Sequence, residues 1–160
     1  MNRLLEQVKV VAGIAPSVDI YNATPTSDVV SLRDYQTAAF ILRQKTAGTN
    51  TGTATMTIEA CSDASGSNPE AIAFPYAKNE ACPADDFGAW LAATTAGFTT
   101  TANKDAVYVA EVKGTDLPRG KPFVRAKLTE VVNDPVAGDL IILVTGGQQG
   151  DIDTLATAVA

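Results

Sequence analysis

The sequence predicts an all-β chain, an antiparallel β-sandwich or jelly-roll-like single domain with extended terminal segments. Three observations carry this reading. Strict alternation recurs along the chain and is clearest from Ala54 to Ala60. There Ala54, Met56, Ile58 and Ala60 share one face, and Thr55, Thr57 and Glu59 share the other. Turn-forming Gly and Pro residues separate about eight such stretches, as in sandwiches and jelly rolls. Thr, Ala, Val and Gly dominate, while helix-forming runs of Glu, Lys and Leu are missing. At 160 residues one domain is the default. A chain of this length buries roughly 70% of its unfolded surface and needs no disulfide or metal to fold. Hydrophobic residues at 46% and charged residues at 19% place it among globular chains.

Residues 1–27 form an N-terminal arm, or a first strand with a tether. Leu4, Leu5, Val8 and Val11 fit helical spacing, and Val8, Val10 and Ala12 fit strand spacing equally well. Gly13 and Pro16 end either element, and residues 16–26 are turn-rich. Residues 28–145 form the β-sandwich body. Ala38 to Gln44 is apolar on both faces at first, Ala39 and Ile41 against Phe40 and Leu42. It then turns polar at Arg43, Gln44 and Lys45, as a deeply buried strand does when it emerges into solvent. The Gly/Thr/Asn loop 46–52 then predicts an antiparallel hairpin with the Ala54–Ala60 strand.

Ser62 to Glu70 is a surface loop, and Pro75 confines the short strand Ala71–Tyr76 to an edge or a bulge. Lys78 to Gly88 is an acidic loop, after which Trp90 starts a strand. Ala106 to Val112 alternates, with Val107, Val109 and Glu111 on one face and Tyr108, Ala110 and Val112 on the other. Gly114 to Pro122 is a compact crossover. In Phe123–Val131 the residues Val124, Ala126 and Leu128 point inward, Arg125 and Lys127 outward. Leu140 to Val144 is continuously apolar. The expected core is Phe40, Leu42, Met56, Ile58, Val107, Val109, Val124, Leu128 and Ile142. Residues 146–160 form a glycine hinge followed by an arm or short helix, with Ile152, Leu155, Ala156 and Val159 at helical spacing behind an Asp151 cap.

Resemblance adds a functional expectation. The order Asp28-Val-Val-Ser-Leu32, Tyr35, an apolar strand, a Gly/Thr loop and Thr55-Met-Thr-Ile-Glu-Ala-Cys-Ser-Asp63 resembles small structural proteins from the virion-gene clusters of tailed bacteriophages and prophages. It continues through Ala93–Thr101, Val107–Val112 and Phe123–Val132, covering roughly residues 28–145. Such proteins look like capsid decoration, or cement, proteins. The resemblance implies a β-sandwich or jelly-roll body, binding to the major capsid protein, homo-oligomerisation as a trimer, and a place on the outer capsid surface after synthesis in the host bacterial cytoplasm. Position in the tail, neck or fibre base, or a carbohydrate-binding sandwich, are the alternatives.

Other chemistry is poorly supported. The net charge of −6 argues against binding a phosphate backbone. There is no histidine, which removes Ser-His-Asp and Cys-His catalysis and the usual zinc sets. Asp85 to Gly88 contains the letters of a kinase DFG motif without its companions. Gly146 to Asp153 holds one copy of a calcium-turn-like pattern that repeats nowhere. Asp151 and Asp153 suit a helix start. Glu59 and Glu111 on strands are commoner as exposed carboxylates than as a glycosidase pair. Aromatics at 6% are too scattered for a stacking platform.

No run approaches the ~18 apolar residues of a membrane span. The N-terminal stretch lacks a signal-peptide layout, so the sequon at Asn22 has no glycosylation context. Cys61 and Cys82 read as two reduced thiols, with a bridge stapling the intervening loop as the alternative. The chain is therefore expected to have no enzymatic role, no cofactor, no metal, no nucleic-acid partner and no membrane. A cement protein must also grip neighbours, so the unusually apolar termini supply the expected partner contacts: Leu4, Leu5, Val8, Val10, Val11, Ile152, Leu155 and Val159.

Overall fold

The computed structural model describes residues 4–46, 48–147 and 159. After a short 3₁₀ turn at Leu4–Glu6, eleven strands follow among the described residues. They are β1 (Val8–Ser17), β2 (Val30–Ser31), β3 (Thr37–Lys45), β4 (Thr53–Cys61), β5 (Glu70–Ile72), β6 (Phe74–Asn79), β7 (Leu91–Ala93), β8 (Phe98–Thr99), β9 (Ala106–Lys113), β10 (Phe123–Val132) and β11 (Ala137–Thr145). One sheet has the order β1-β11-β3-β9-β6-β7, and the second has β2-β10-β4-β5 with β8 also on β4. Every pairing between these strands is antiparallel. The molecule is an antiparallel sandwich, as the alternation predicts.

The core lies between the sheets. Phe40 and Leu42 of β3, Met56 and Ile58 of β4, Val124, Ala126 and Leu128 of β10, and Leu140 and Ile142 of β11 are all 0% exposed. Alternation selects these residues because successive side chains of a strand point to opposite faces. A cluster of rings closes one side. Phe98 stacks on Tyr76 at 4.2 Å and meets Phe74 edge-on at 6.2 Å, so β8 of one sheet is tied to β6 of the other.

Several expectations change. β3 and β4 do not form a hairpin. β3 pairs with β11 and β9, and β4 pairs with β10, β5 and β8. Each buries one apolar face, and stacking face to face across the core buries both. Loop 46–52 therefore carries the chain from one sheet to the other. In β9 the faces are reversed: Tyr108, Ala110 and Val112 are buried, whereas Val107 and Val109 are half-buried on the outer side. The register opposes Tyr108 to Leu42 and Ala110 to Phe40, and Glu111 shares the outer face with the two valines. The strand read as Ala71–Tyr76 is two strands in different sheets, with the chain crossing between them at Ala73.

The turn-rich segment after β1 is tied down rather than loose. Ile20 and Tyr21 are 2% and 0% exposed, and Ile20 N–H donates to the Val136 carbonyl at 2.8 Å. Gln44 does not emerge into solvent. It is buried because the Tyr21 hydroxyl donates to its Oε1 at 2.5 Å, while its amide donates to the carbonyls of Thr101 and Lys104. Such a group needs these partners, since an unsatisfied buried amide is costly. Next to it the Tyr108 hydroxyl accepts from Thr101 N–H at 2.9 Å and donates to Glu80 Oε1 at 3.3 Å. Burial alone would raise the Glu80 carboxyl, but hydrogen bonds from Thr101, Lys78 and Tyr108 outweigh it and hold the group below its usual range.

One turn depends on glycine. Gly97 closes the Thr94–Gly97 turn with φ near +77°, and a Cβ there would lie 2.0 Å from the Met56 carbonyl oxygen.

Two predictions follow from the core. Ile58→Ala should lower stability by about 2–5 kcal/mol in urea denaturation, since it empties a fully buried site. Alkaline pH should also destabilise the fold. Burial pushes the Tyr108 phenol up to about 12 from 10.0, and that of Tyr21 still higher. The unfolded chain therefore loses these protons first, and stability falls as pH rises above 10. Tyrosinate absorbance for these two residues should rise together with loss of sheet signal, rather than before it.

Candidate interaction surface

The outward side of the six-stranded sheet is the most unusual surface of the molecule. The pairing register defines five rows across it; the outermost are Val8, Thr145, Thr37 and Lys113 at one end and Ala137 with Lys45 at the other, and three lie between them. The first runs Val10, Leu143, Ala39 and Glu111. The second runs Ile141, Ile41, Val109 and Ala77. The third runs Asp139, Arg43, Val107 and Asn79. Two of the five rows are thus largely apolar on a side that faces away from the core, and they form a band between the Thr/Lys row and the Arg43–Asp139 row. Antiparallel sheets with one solvated face normally place polar residues there. The same strands bury Phe40, Leu42, Leu140 and Ile142 completely on the inner side, yet Ile41, Ile141 and Leu143 are only half-buried on the outer one.

Charge bounds this surface. Arg43 Nε donates to Asp139 Oδ1 at 2.8 Å, and a second guanidinium nitrogen meets Oδ2. This fork holds Arg43 more firmly protonated than usual, through those hydrogen bonds first and the carboxylate's charge second. The outer face of the other sheet is built differently. There the Arg125–Glu59 pair, with Nε to Oε2 at 2.8 Å, sits beside Lys127, Thr57 and Thr55. One sheet therefore presents a polar exterior, and the other an apolar band between polar rows.

The expected terminal contacts separate on this frame. Leu4, Leu5 and Val10 are exposed at 69%, 61% and 53%, at or beside β1, an edge strand of the apolar sheet. Val8 is half-buried in β1. Val11 is a core residue, 7% exposed opposite Ile142, and is not available to a partner. The N-terminal segment follows the first-strand alternative, because β11 takes it into the sheet. Val159 bridges Val30 of β2 and packs partly buried against the core, so it contacts its own body. Ile152 and Leu155 lie outside the described residues, as do Asp151 and Asp153. Both edges meet on one side of the sandwich, where Asp28 N–H donates to the Gly13 carbonyl at 2.9 Å.

The carboxylates singled out by sequence are not brought together. Glu59 and Glu111 lie on opposite outer faces of the sandwich. Cys61 and Cys82 are free thiols, and burial first of all pushes the Cys61 thiol up, away from a reactive thiolate. No group of three or more metal-ligating side chains occurs among the described residues, and no helix there is long and apolar enough to cross a membrane. Ile41, Val109, Ile141 and Leu143 were not expected as site residues. For Ile41, Ile141 and Leu143 the signal was present in the two-sided apolar pattern of Ala39–Leu42 and Leu140–Val144; Val109 was expected in the core.

No protein-family model matches this chain, and no curated protein matches it. Among solved structures it is similar to the crystal structure of the SPBc2 prophage-derived protein YomS, with a TM-score of 0.45 and 8% identity over 87% of this chain and 93% of that one. A likeness of that size decides neither fold nor role.

The outer face predicts an asymmetry between the two sides of one strand. Ile141→Thr should change stability by less than about 1 kcal/mol and reduce binding of an apolar-surface dye. Ile142→Thr, one residue along, should cost several times more. Equal losses in paired urea titrations would show that the outer face is packed like the core.

Proposed function

We propose that this chain is a structural virion protein of a tailed phage or prophage, and that it decorates and stabilises the capsid by binding the major capsid protein shell. The observation that carries the reading is the apolar outer face of the six-stranded sheet, which a solitary soluble sandwich has no reason to keep. Apolar contiguous surface of this kind marks sites of association. The resemblance of residues 28–145 to phage structural proteins supplies the kind of partner. In this reading the chain is not an enzyme, uses no cofactor, and works as a homo-oligomer, a trimer by that resemblance. Leu4, Leu5 and Val10 extend the contact along the β1 edge. The acidic balance suits an outer position, away from packaged nucleic acid.

The test is the copy number of the chain in purified particles, by quantitative mass spectrometry and reconstruction. Copies comparable to the major capsid protein, arranged over the shell, are expected. A few copies at one vertex would move the protein to the neck, tail or fibre base. Absence from particles together with specific binding on a glycan panel would replace the reading with a carbohydrate-binding module. Ile41→Lys and Leu143→Asp should each abolish particle binding while leaving the body folded.

A further inference from the structure

A second apolar feature lies at the opposite edge of the same sheet. Residues 83–92 form a run in which every residue is exposed. It carries Phe87 at 41%, Trp90 at 55% and Leu91 at 41% exposure, and Trp90 is the only tryptophan of the chain. The run is held firmly at both ends. Behind it, the buried Asn79 side chain donates to the Ala84 carbonyl and accepts from Ala81 N–H at 2.9 Å, and Gly88 N–H donates to the Lys78 carbonyl at 3.3 Å. Ahead of it, β7 pairs with β6, Leu91 opposite Tyr76. Asp85 and Asp86 immediately precede Phe87, so the aromatic patch has an acidic rim. Anchored aromatic side chains are the usual hot spots of protein interfaces.

The far end of the sheet offers a counterpart. A shallow hollow of about 410 Å³ is lined by Pro16, Arg43, Lys45, Ala137 and Gly138, among others. Its lining also includes Asp139, which pairs with Arg43, so Lys45 supplies the excess positive charge of the hollow. The Arg43 side chain is 55% exposed although paired with Asp139, which leaves its flat face open to an aromatic ring. We propose that the Phe87–Leu91 patch of one copy seats in the Arg43/Lys45 hollow of a second copy, head to tail. Asp85 and Asp86 then face Lys45, while Trp90 enters the hollow against the Arg43 guanidinium.

Aromatic residues bury about 150–250 Å² each. At 41% and 55% exposure Phe87 and Trp90 together still offer about 150–240 Å², about a quarter of the roughly 800 Å² per partner that a stable interface takes. Patch and hollow lie at opposite sides of the six-stranded sheet, β7 against β3, β11 and the end of β1, so the contact is heterologous. A repeated heterologous contact with a closing rotation makes a ring. This inference deepens the homo-oligomer proposed above by naming its interface.

The test uses the full chain in sedimentation equilibrium, with Trp90 emission as a second readout. The wild type should assemble, and its emission should shift to the blue as concentration rises. Trp90→Ala and Lys45→Glu should each weaken association by at least about tenfold, with the sheet signal unchanged. An equimolar mixture of the two variants should give heterodimers and nothing larger, because one intact patch meets one intact hollow and no further contact is possible. A wild type that stays monomeric, a Trp90→Ala chain that keeps the wild-type mass, or a mixture that builds larger assemblies would each overturn the proposal. Particle association is scored separately. A chain that assembles through Trp90 but is absent from virions keeps this interface and removes the decoration reading. A virion-bound chain whose Trp90→Ala variant keeps its mass does the reverse.

Discussion

The structure depends on one constraint, the burial of two apolar faces against each other across the sandwich. Phe40, Leu42, Leu140 and Ile142 supply one side, and Met56, Ile58, Ala126 and Leu128 the other. Each of the larger side chains among them contributes on the order of 1.5–3 kcal/mol when removed from water. That drive explains why loop 46–52 bridges the sheets instead of closing a hairpin. Loop 46–52 places β3 and β4 in opposite sheets, so their apolar faces cover each other across the core.

Polar groups are accommodated where this constraint would otherwise break down. Gln44 lies on the inner side of β3, and its burial is made tolerable by Tyr21, Thr101 and Lys104. Ser27 serves a similar purpose at the β10 side, accepting from Ala126 N–H at 2.9 Å. Tyr21 and Ser27 both belong to the segment that follows β1, so that segment is part of the core's hydrogen bonding. The rings of Phe74, Tyr76, Phe98 and Tyr108 pack together beside the Gln44 site, and the Tyr108 hydroxyl joins its hydrogen bonding through Thr101 and Glu80.

The two exteriors point toward function. Arg125 and Glu59 show how this fold makes a solvated sheet face, with cross-strand charge and threonine. The six-stranded sheet keeps Ile41, Val109, Ile141 and Leu143 in the equivalent place. The contrast lies within one molecule, so composition alone does not account for it. A protein whose work is to be covered by other subunits has reason to retain such a face. The aromatic patch at β7 and the cationic hollow near β1 extend the same logic to contact between identical copies.

The sequence by itself determined the strand class, most strand positions and the inward residues of β3, β4, β10 and β11, because alternation is a local property of the extended chain. It also held the sign of the outer face, in the two-sided apolar runs Ala39–Leu42 and Leu140–Val144, though that pattern reads first as full burial. It read β9 the wrong way round, placing Val107 and Val109 in the core, although Glu111 on the valine face marks that face as the outer one. Pairing was decided by tertiary structure. β4 meets β10 some seventy residues later, and β3 meets β11 nearly a hundred residues later. No local pattern encodes such partners. They follow from which faces must be covered at once, and that is a property of the whole sandwich.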